Sequence, residues 1–398
     1  MGKKLNVDIG LPADDSEVQA FTRIVSQALF FPAVDLDVWI KREGPENIRV
    51  ARRKDGVVGG LIVQRMGQWF GGRSVPMGAV RAVGVAPEHR ATGVASQLLT
   101  TALEEMRRDG VPLSALFPAT QPVYRRPGYE QAGVRLTYRL PASAIDVRDR
   151  TLHLRPIEPA DRDAVRRAYS ERARRTSGNL DRNEWYWQRI FDPPPWGSQT
   201  YGYQIEHEGR AEAYTVFAQK AGDKLHNAHH VELVDLVTLT AEAGRRLLTF
   251  FADHRSMAKT VTWSGAPAEP MLYLLAEQAS NIVHRLDWML RIVDVRCALE
   301  ARGYPPAANT DVHVEVVDDV LRHNHGRFVL EVSDSQGRVR EGGGGNVRID
   351  VRGLAALYTG HLSPADLKLA GYLDGPDEDL AKAALVFAGP APWMPDIF

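Results

Sequence analysis

The chain has 398 residues, 44% hydrophobic and 25% charged, which predicts two or three globular domains and excludes disorder over most of its length. Its 49 Lys and Arg nearly balance 50 Asp and Glu, so the basic excess that nucleic-acid binding requires is missing. The single cysteine, Cys297, excludes a disulfide framework and a multi-cysteine metal site, and we expect it to be buried. Without a signal-like segment or a run of about 18 apolar residues, a cytoplasmic location is expected.

Strands and helices alternate in the first 150 residues. The pattern predicts a strand at 5–9, a helix opened by residues 12–16, a hairpin around Asp55-Gly56, a strand at 78–86, a helix from Val94 and a strand at 113–117. The helix is the clearest of these, because Val94, Leu98, Ala102 and Met106 form one apolar stripe.

The same order of elements recurs further along the chain. A strand at 152–156, a helix opened by 159–161, a strand at 231–239 and a helix at 242–254 follow one another, which indicates a weak internal duplication. A third region after Asp287 carries predicted strands at 312–317, 328–332 and 347–351 and helices at 354–359 and 364–370.

A turn that joins the strand at 78–86 to the helix at Val94 has the pattern Arg90-x-x-Gly93-x-Ala95. Unpaired backbone N–H groups and the helix dipole favour an anion at such a helix start, and Gly93 allows a close backbone approach. A strand–turn–helix in which Gly93 only relieves packing is the alternative.

Two further stretches carry residues of chemical interest. A short helix with Tyr124 follows the strand at 113–117, then a glycine turn and Tyr129. A phenol is a neutral proton donor at pH 7, whereas Tyr129 is expected to be a packing residue.

The last eight residues include Trp393, Met394, Ile397 and Phe398, a tail apolar enough that we expect it to dock rather than fray.

Four features together resemble the enhanced intracellular survival (Eis) family of GNAT acetyltransferases. They are the loop at 90–96, Val-Tyr-Arg-Arg-Pro-Gly-Tyr at 123–129, Met-Leu-Arg-Ile-Val-Asp-Val at 289–295, and a chain that stops at an aromatic residue. The resemblance implies an α/β fold with mixed sheets: two tandem GNAT-like domains followed by a sterol-carrier-protein-like domain. We place the boundaries at 1–148, 149–290 and 291–398, with the C-terminus of the third domain reaching the active site of the first.

The resemblance also implies an N-acetyltransferase that uses acetyl-CoA and no metal. Tyr124 would be the general acid and the α-carboxylate of Phe398 the general base. Residues that would hold the cofactor are Val83, Gly84 and Val85 along the pantetheine arm, Arg90, Ala91, Thr92, Gly93, Val94, Ala95 and Ser96 around the pyrophosphate, and Ala119 and Thr120 beyond the strand.

Only the first GNAT-like domain is expected to bind acetyl-CoA. In the second, the equivalent loop has Ala241 where an arginine is needed, Glu242 where an acid would repel pyrophosphate, and Arg246 where a small residue is needed.

The acceptor is expected to be a primary amine: aminoglycoside-like, a polyamine or a lysine side chain. No carboxylate occurs between Val25 and Asp35, and Ile397 precedes Phe398, so broad acetylation of aminoglycosides is not expected unless Asp396 compensates. An aromatic surface of Phe30, Phe31, Trp39 and Phe70 would suit a less charged or more aromatic amine.

The alternative function is a non-enzymatic protein that binds acyl-CoA and an apolar ligand. Family resemblance further implies a homo-oligomer, a hexamer. The balanced charge and the lack of a long apolar run predict neither nucleic-acid nor membrane partners.

Overall fold

The computed structural model describes residues 6–30, 38, 42–54, 56–193, 198–222 and 228–398. Its strands are β1 (Asp8–Gly10), β2 (Ile48–Arg53), β3 (Gly56–Phe70), β4 (Arg73–Val85), β5 (Leu113–Leu116), β6 (Glu130–Pro141), β7 (His153–Pro156), β8 (Leu180–Asp181), β9 (Thr200–His207), β10 (Arg210–Ala221), β11 (His229–Thr238), β12 (Ala258–Gly265), β13 (Asn281–Ile292), β14 (Thr310–Val317), β15 (Gly326–Ser333), β16 (Gln336–Glu341), β17 (Val347–Asp350) and β18 (Leu373–Asp374). Its helices are α1 (Asp15–Leu29), α2 (Val94–Arg108), α3 (Gln121–Arg125), α4 (Arg162–Ala173), α5 (Glu184–Phe191), α6 (Ala241–Asp253), α7 (Val295–Ala301), α8 (Val351–Thr359), α9 (Pro364–Leu369) and α10 (Asp377–Val386).

The chain divides into two compact units. Unit 1 consists of residues 1–133, 287–390 and Phe398, and unit 2 of residues 134–286 and 391–397. No helix in the described part of the chain is long and apolar enough to span a membrane.

The N-terminal sheet of unit 1 has the order β1-β2-β3-β4-β5-β13. Its pairs are antiparallel except β4–β5, which is parallel. Alternate residues of β3 point to opposite faces: Ile62 packs with α1, whereas Leu61 and Val63 pack with α2. Helices therefore cover both faces, as the strand–helix alternation predicts.

Helix α2 forms where the apolar stripe predicts it. Val94, Leu98, Ala102 and Met106 are all buried in one core cluster, and burial of a large aliphatic side chain stabilises the fold by about 1.5–3 kcal/mol. The predicted strand at 5–9 starts only at Asp8, and residue 5 lies outside the described residues.

The third region forms a separate sheet within unit 1, with the order β16-β15-β14-β17-β18. Arg302 lies inside this domain, with its guanidinium 5.0, 4.9 and 5.0 Å from the ring centres of Tyr304, Tyr358 and Phe387. Cys297 is exposed on α7, so the prediction that it is buried is wrong.

Unit 2 repeats the order of elements seen in the first sheet. Its sheet runs β6-β12-β11-β10-β9-β7, and the strand–helix–strand sequence β11-α6-β12 again ends in a parallel pair. The same connection in unit 1 is β4-α2-β5. This shared topology agrees with the duplication that the sequence indicates.

Candidate active site

The two central strands of unit 1 separate along their length. Strand β5 pairs with β4 only from Met77 to Ala79, although β4 continues to Val85. Among the described residues, no strand pairs with the last six residues of β4 on that side. This edge includes Val83, Gly84 and Val85, and its free N–H and C=O groups can pair with an extended ligand as an added strand would.

A β-bulge bends β4 within this free edge. Gly60 pairs with Gly84 but Ile62 pairs with Arg81, so β4 holds one extra residue, and Ala82 has a positive φ of 51°. Bulges re-aim the residues that follow them. The sequence contains no signal for this bulge, because alanine is not a residue typical of positive φ.

The loop after β4 has a backbone conformation that can direct several N–H groups toward one anion. Ala86 N donates to Val58 O at 2.9 Å, and the Thr92 hydroxyl donates to His89 O at 2.5 Å. Ala91 and Gly93 have φ values of 60° and 88°, and alternation of this kind turns successive N–H groups toward one point.

Helix α2 starts at the end of this loop and has no side-chain cap. Gly93 occupies the N-cap position, no side chain caps it, and the first turn carries no acidic residue. The N–H groups of Val94, Ala95 and Ser96 therefore have no carbonyl partner in their own helix. Together with the helix dipole, they make this end of α2 suitable for an anion such as a phosphate.

Arg90 lies in the same loop. The side chain is exposed, and its Nε donates to Val85 O at 3.4 Å. No carboxylate within the described ranges forms an ion pair with it. The guanidinium is therefore available to an anion held at the start of α2.

Tyr124 lies on α3. This helix directly follows Ala119 and Thr120, and Thr120 is its N-cap residue. Only 7% of the side chain is exposed, and no described residue forms a hydrogen bond with its hydroxyl. Burial raises the pKa of Tyr124 to about 12, so the phenol stays protonated at neutral pH. The hydroxyl is therefore a neutral proton donor that no described residue engages.

Tyr129 is the packing residue that the sequence predicts. It is fully buried, its hydroxyl is 2.7 Å from Ser114 Oγ, and its ring meets that of Tyr124 edge-on at 6.4 Å.

Phe398 lies at the carboxyl end of β5. Its ring meets Phe117 edge-on with the ring centres 5.5 Å apart, and Phe117 directly follows Leu116, the last residue of β5. The same strand end leads into Ala119 and Thr120. The predicted site residues in unit 1 thus gather around the carboxyl ends of β4 and β5.

The tail before Phe398 is fixed within unit 2, as its apolar composition predicts. Val134 N donates to Pro392 O at 3.2 Å, Met394 N donates to Val134 O at 3.0 Å, and Ile397 N donates to the Tyr186 hydroxyl at 3.1 Å.

Asp396 is the most strongly held residue of this tail. Its carboxylate is 2.6 Å from Arg182 Nη2 and accepts the Tyr169 hydroxyl at 3.0 Å. Arg182 also binds Asp235 at 2.6 Å, and the three charged side chains are at most 2% exposed. Asp396 is therefore not available to bind a cationic acceptor.

The aromatic acceptor surface expected from the sequence is not supported at Phe70. That ring is fully buried and packs edge-on against Tyr358 at 5.2 Å, so its role as an acceptor contact is wrong. Phe30 is 97% exposed. Phe31, Trp39, Asp35 and Asp37 lie outside the described residues.

In unit 2, apolar side chains lie where the corresponding pair of parallel strands separates. Parallel pairing of β11 with β12 stops at Glu232–Thr262, and beyond it Leu233, Leu236 and Trp263 line a cavity of only about 10 Å³. This volume is about one water molecule.

The start of α6 also differs from the start of α2. Thr240 caps it by accepting a hydrogen bond from Ala243 N, Glu242 occupies the first turn, and Arg246 Nε donates to Leu152 O. The cap occupies an N–H group that an anion would need, and the charge of Glu242 would repel an anion. Across the part of the chain that is described, no group of three His, Cys, Asp or Glu side chains is arranged to hold a metal ion.

Three successive parts of the chain match known protein families. Residues 12–132 and 178–292 each match an acetyltransferase (GNAT) domain, and residues 295–395 match a sterol carrier protein domain. A crystal structure of a GCN5-related N-acetyltransferase from Anabaena variabilis has 36% identity and a TM-score of 0.94, covering 99% of this chain and 100% of that one.

Two curated relatives are similar over most of the chain. An uncharacterized N-acetyltransferase from Streptomyces avermitilis is 30% identical over 354 residues, which cover 82% of this chain and 83% of the relative. The N-acetyltransferase Eis of Mycobacterium bovis is 25% identical over 328 residues, 77% of each chain.

Proposed function

The chain belongs to the GCN5-related N-acetyltransferases of the Eis type, and we propose that it transfers an acetyl group from acetyl-CoA to a primary amine. The observation that carries the proposal is the juxtaposition in unit 1 of a free β4 edge, an uncapped helix start and Tyr124. It is tested by whether the protein releases coenzyme A thiol from acetyl-CoA when, and only when, an amine is added.

The residues of unit 1 fit the parts of acetyl-CoA one by one. The free edge at Val83, Gly84 and Val85 offers backbone groups to the amides of pantetheine. The loop and first turn from Arg90 to Ser96 offer N–H groups and a guanidinium to the pyrophosphate. Ala119 and Thr120 follow β5 and would contact the cofactor where the two strands separate.

Direct attack needs no acyl-enzyme. An amine that arrives as a cation first gives up one proton. The neutral nitrogen then bonds to the thioester carbonyl carbon, the carbon–sulfur bond breaks, the nitrogen loses a second proton, and the leaving sulfur takes one up. We assign to the α-carboxylate of Phe398 the orientation of the cationic amine and the uptake of its first proton, directly or through water. An α-carboxyl has an ordinary pKa of about 3.3–3.7, so orientation of the cation is its larger contribution at pH 7.

Tyr124 serves the leaving sulfur. A thiol has a pKa of about 8.5, so complete proton transfer from a phenol of pKa about 12 is uphill by roughly 5 kcal/mol. Tyr124 therefore stabilises the departing thiolate chiefly through a hydrogen bond, and proton transfer follows as burial raises the pKa of the thiol as well.

We infer the acceptor class from the two residues that precede Phe398. The carboxylate of Asp396 forms an ion pair with Arg182, so it is not available to a cationic acceptor. Ile397 has no carboxylate in its side chain. A monoamine or diamine with an apolar portion, or a lysine side chain, suits this end of the site better than a polycationic aminoglycoside.

We expect Arg90→Glu to weaken acetyl-CoA binding by about 1–3 kcal/mol, because a charge-assisted hydrogen bond is replaced by repulsion. Titration calorimetry measures the change, and thermal unfolding should differ little because Arg90 is exposed. Arg108→Glu, at the opposite end of the same helix, is the matched control and should leave the affinity unchanged. Equal affinities for the wild type and Arg90→Glu would remove this residue from the binding site.

We expect one molecule of acetyl-CoA to bind per chain. The cavity beyond the β11–β12 pairing has room for about one water molecule, Thr240 caps the start of α6, and Glu242 lies in its first turn. The stoichiometry from calorimetry checks this, and a value of two would show that the second GNAT domain has kept its cofactor site.

A further inference from the structure

We propose that three residues, Arg125, Glu130 and Tyr372, form a brace that positions the Tyr124 hydroxyl for the leaving sulfur, which gives the sterol-carrier-like domain a part in catalysis. We call these three the acid-helix brace. The inference rests on the proposed function, and it assigns to Tyr372 a positioning role rather than a contact with substrate.

Tyr124 needs such support because its helix is very short. Helix α3 has five residues, and an isolated helix of fewer than about 12 residues is marginal in water. Its position is therefore set by contacts with neighbouring elements. At its end, Gly128 N donates to Arg125 O at 3.0 Å and Tyr129 N donates to Tyr124 O at 3.1 Å.

The first arm of the brace joins Arg125 to Glu130. Arg125 Nε lies 2.9 Å from Oε2 of the carboxylate, and Nη2 lies 2.8 Å from Oε1. This two-pronged geometry fixes both distance and orientation. The Glu130 side chain is only 5% exposed and also accepts Gln131 N at 3.0 Å, so it is a firm anchor at the start of β6.

The second arm comes from the sterol-carrier-like domain. The Tyr372 hydroxyl donates to Glu130 Oε2 at 2.9 Å, although the two residues are 242 positions apart. Tyr372 is itself fixed, because its N–H donates to Leu367 O and its carbonyl accepts Asp350 N. Burial and the bond to Glu130 raise the pKa of Tyr372, which keeps it a donor at neutral pH.

A contact beneath the turn supports the same element. Gly128 has a φ of 92°, and a Cβ there would lie 2.8 Å from the guanidinium carbon of Arg291. Arg291 is held by Asp318 at 2.7 Å, and both side chains are fully buried. The turn after α3 therefore packs directly against the Arg291–Asp318 ion pair. The acid-helix brace holds the same helix from the side of Glu130.

The test compares hydroxyl deletions. Tyr372→Phe should lower kcat roughly 3- to 10-fold, because a small displacement of a catalytic group is costly, while the Kd for acetyl-CoA stays unchanged because the loop at 90–96 is untouched. Glu130→Gln should have a larger effect in the same direction. Tyr358→Phe is the matched control: it removes a hydrogen bond of 3.0 Å to Ala298 O in the same domain and should leave kcat unchanged.

A double-mutant cycle separates positioning from a general structural role. With Tyr124→Phe already present, Tyr372→Phe should cause no further loss of kcat, since the group being positioned is gone. An equal loss in both backgrounds, or an unchanged kcat in Tyr372→Phe alone, would overturn the brace. Wild-type kcat in Tyr124→Phe would instead contradict the role proposed for Tyr124, and the brace with it.

Discussion

Adding a few polar residues after Phe398 is expected to abolish turnover while leaving acetyl-CoA binding intact. The extension converts the α-carboxylate into an amide and moves the terminal charge by at least one residue, about 3.3–3.6 Å, beyond hydrogen-bonding reach of the amine. The tail itself should stay in place, because Asp396 and Ile397 are held by Arg182 and Tyr186. Turnover and calorimetric affinity, measured on the same preparation, check both halves of the expectation.

The matched control carries the same polar residues before Met1. It should keep wild-type turnover, because the added chain does not change the terminal carboxylate. If the ring of Phe398 only anchors the tail against Phe117, the C-terminal extension would be tolerated and Phe398→Ala would lower the melting temperature instead. Full activity of the extended protein, with an unchanged melting temperature, would contradict a role for the carboxylate.

Tyr124→Phe should lower kcat by about 10²- to 10⁴-fold, the usual contribution of a positioned proton donor. Its affinity for acetyl-CoA should remain, because the anion-binding loop lies on other residues. The pKa of about 12 means that the phenol is protonated across the range in which enzymes are assayed. The ratio of wild-type to variant kcat should therefore be constant up to about pH 10, which a pH–rate profile measures.

Tyr129→Phe is the control for the loss of a buried hydroxyl. It removes the bond to Ser114 and should cost about 1 kcal/mol of stability while leaving kcat near the wild-type value. Equal kcat values for Tyr124→Phe and the wild type would exclude Tyr124 as the donor.

Ionisation of Tyr124 also links stability to pH. Its pKa is raised in the folded state from an ordinary value of about 10 to about 12, so its contribution to folding is complete below pH 10. That contribution is lost as the pH rises from about 10 toward 12, because the unfolded chain ionises first.

Local patterns predict the first GNAT domain well. The stripe from Val94 to Met106 fixes α2, and the residues from Arg90 to Gly93 predict the loop before it. Both signals lie within one stretch of chain, where side-chain spacing and backbone geometry are directly related. The GNAT and sterol carrier matches confirm the predicted order of domains, whereas the exact boundaries at 148 and 290 stay predictions.

Other elements carry weaker local signals. Strand β16, Gln336–Glu341, has Val339 as its one buried large apolar residue, so no alternation marks it. The β9–β10 hairpin was not predicted, although Glu208 and Gly209, both at positive φ, form a two-residue turn of a kind that acidic residue–glycine pairs favour.

The supporting contacts of the site cannot be found from sequence alone. Asp396 pairs with Arg182 across 214 positions, and Glu130 bonds to Tyr372 across 242. With 49 basic and 50 acidic residues in the chain, no spacing rule selects these pairs. Phe70 was assigned to the acceptor site for the same reason, because sequence carries little information on long-range contacts. In the fold, Phe70 is buried against Tyr358.

The measurement that tests the proposed acetyl transfer most directly is the release of coenzyme A in the presence of a panel of amines. The panel should include monoamines, diamines, a lysine peptide and an aminoglycoside, with free thiol and acetylated amine quantified in the same reaction. We predict steady thiol release matched one-to-one by an N-acetylated product, and faster turnover with the amines of lower charge. Tight binding of one acetyl-CoA with no turnover on any amine would contradict it, and would favour a protein that binds acyl-CoA without catalysis.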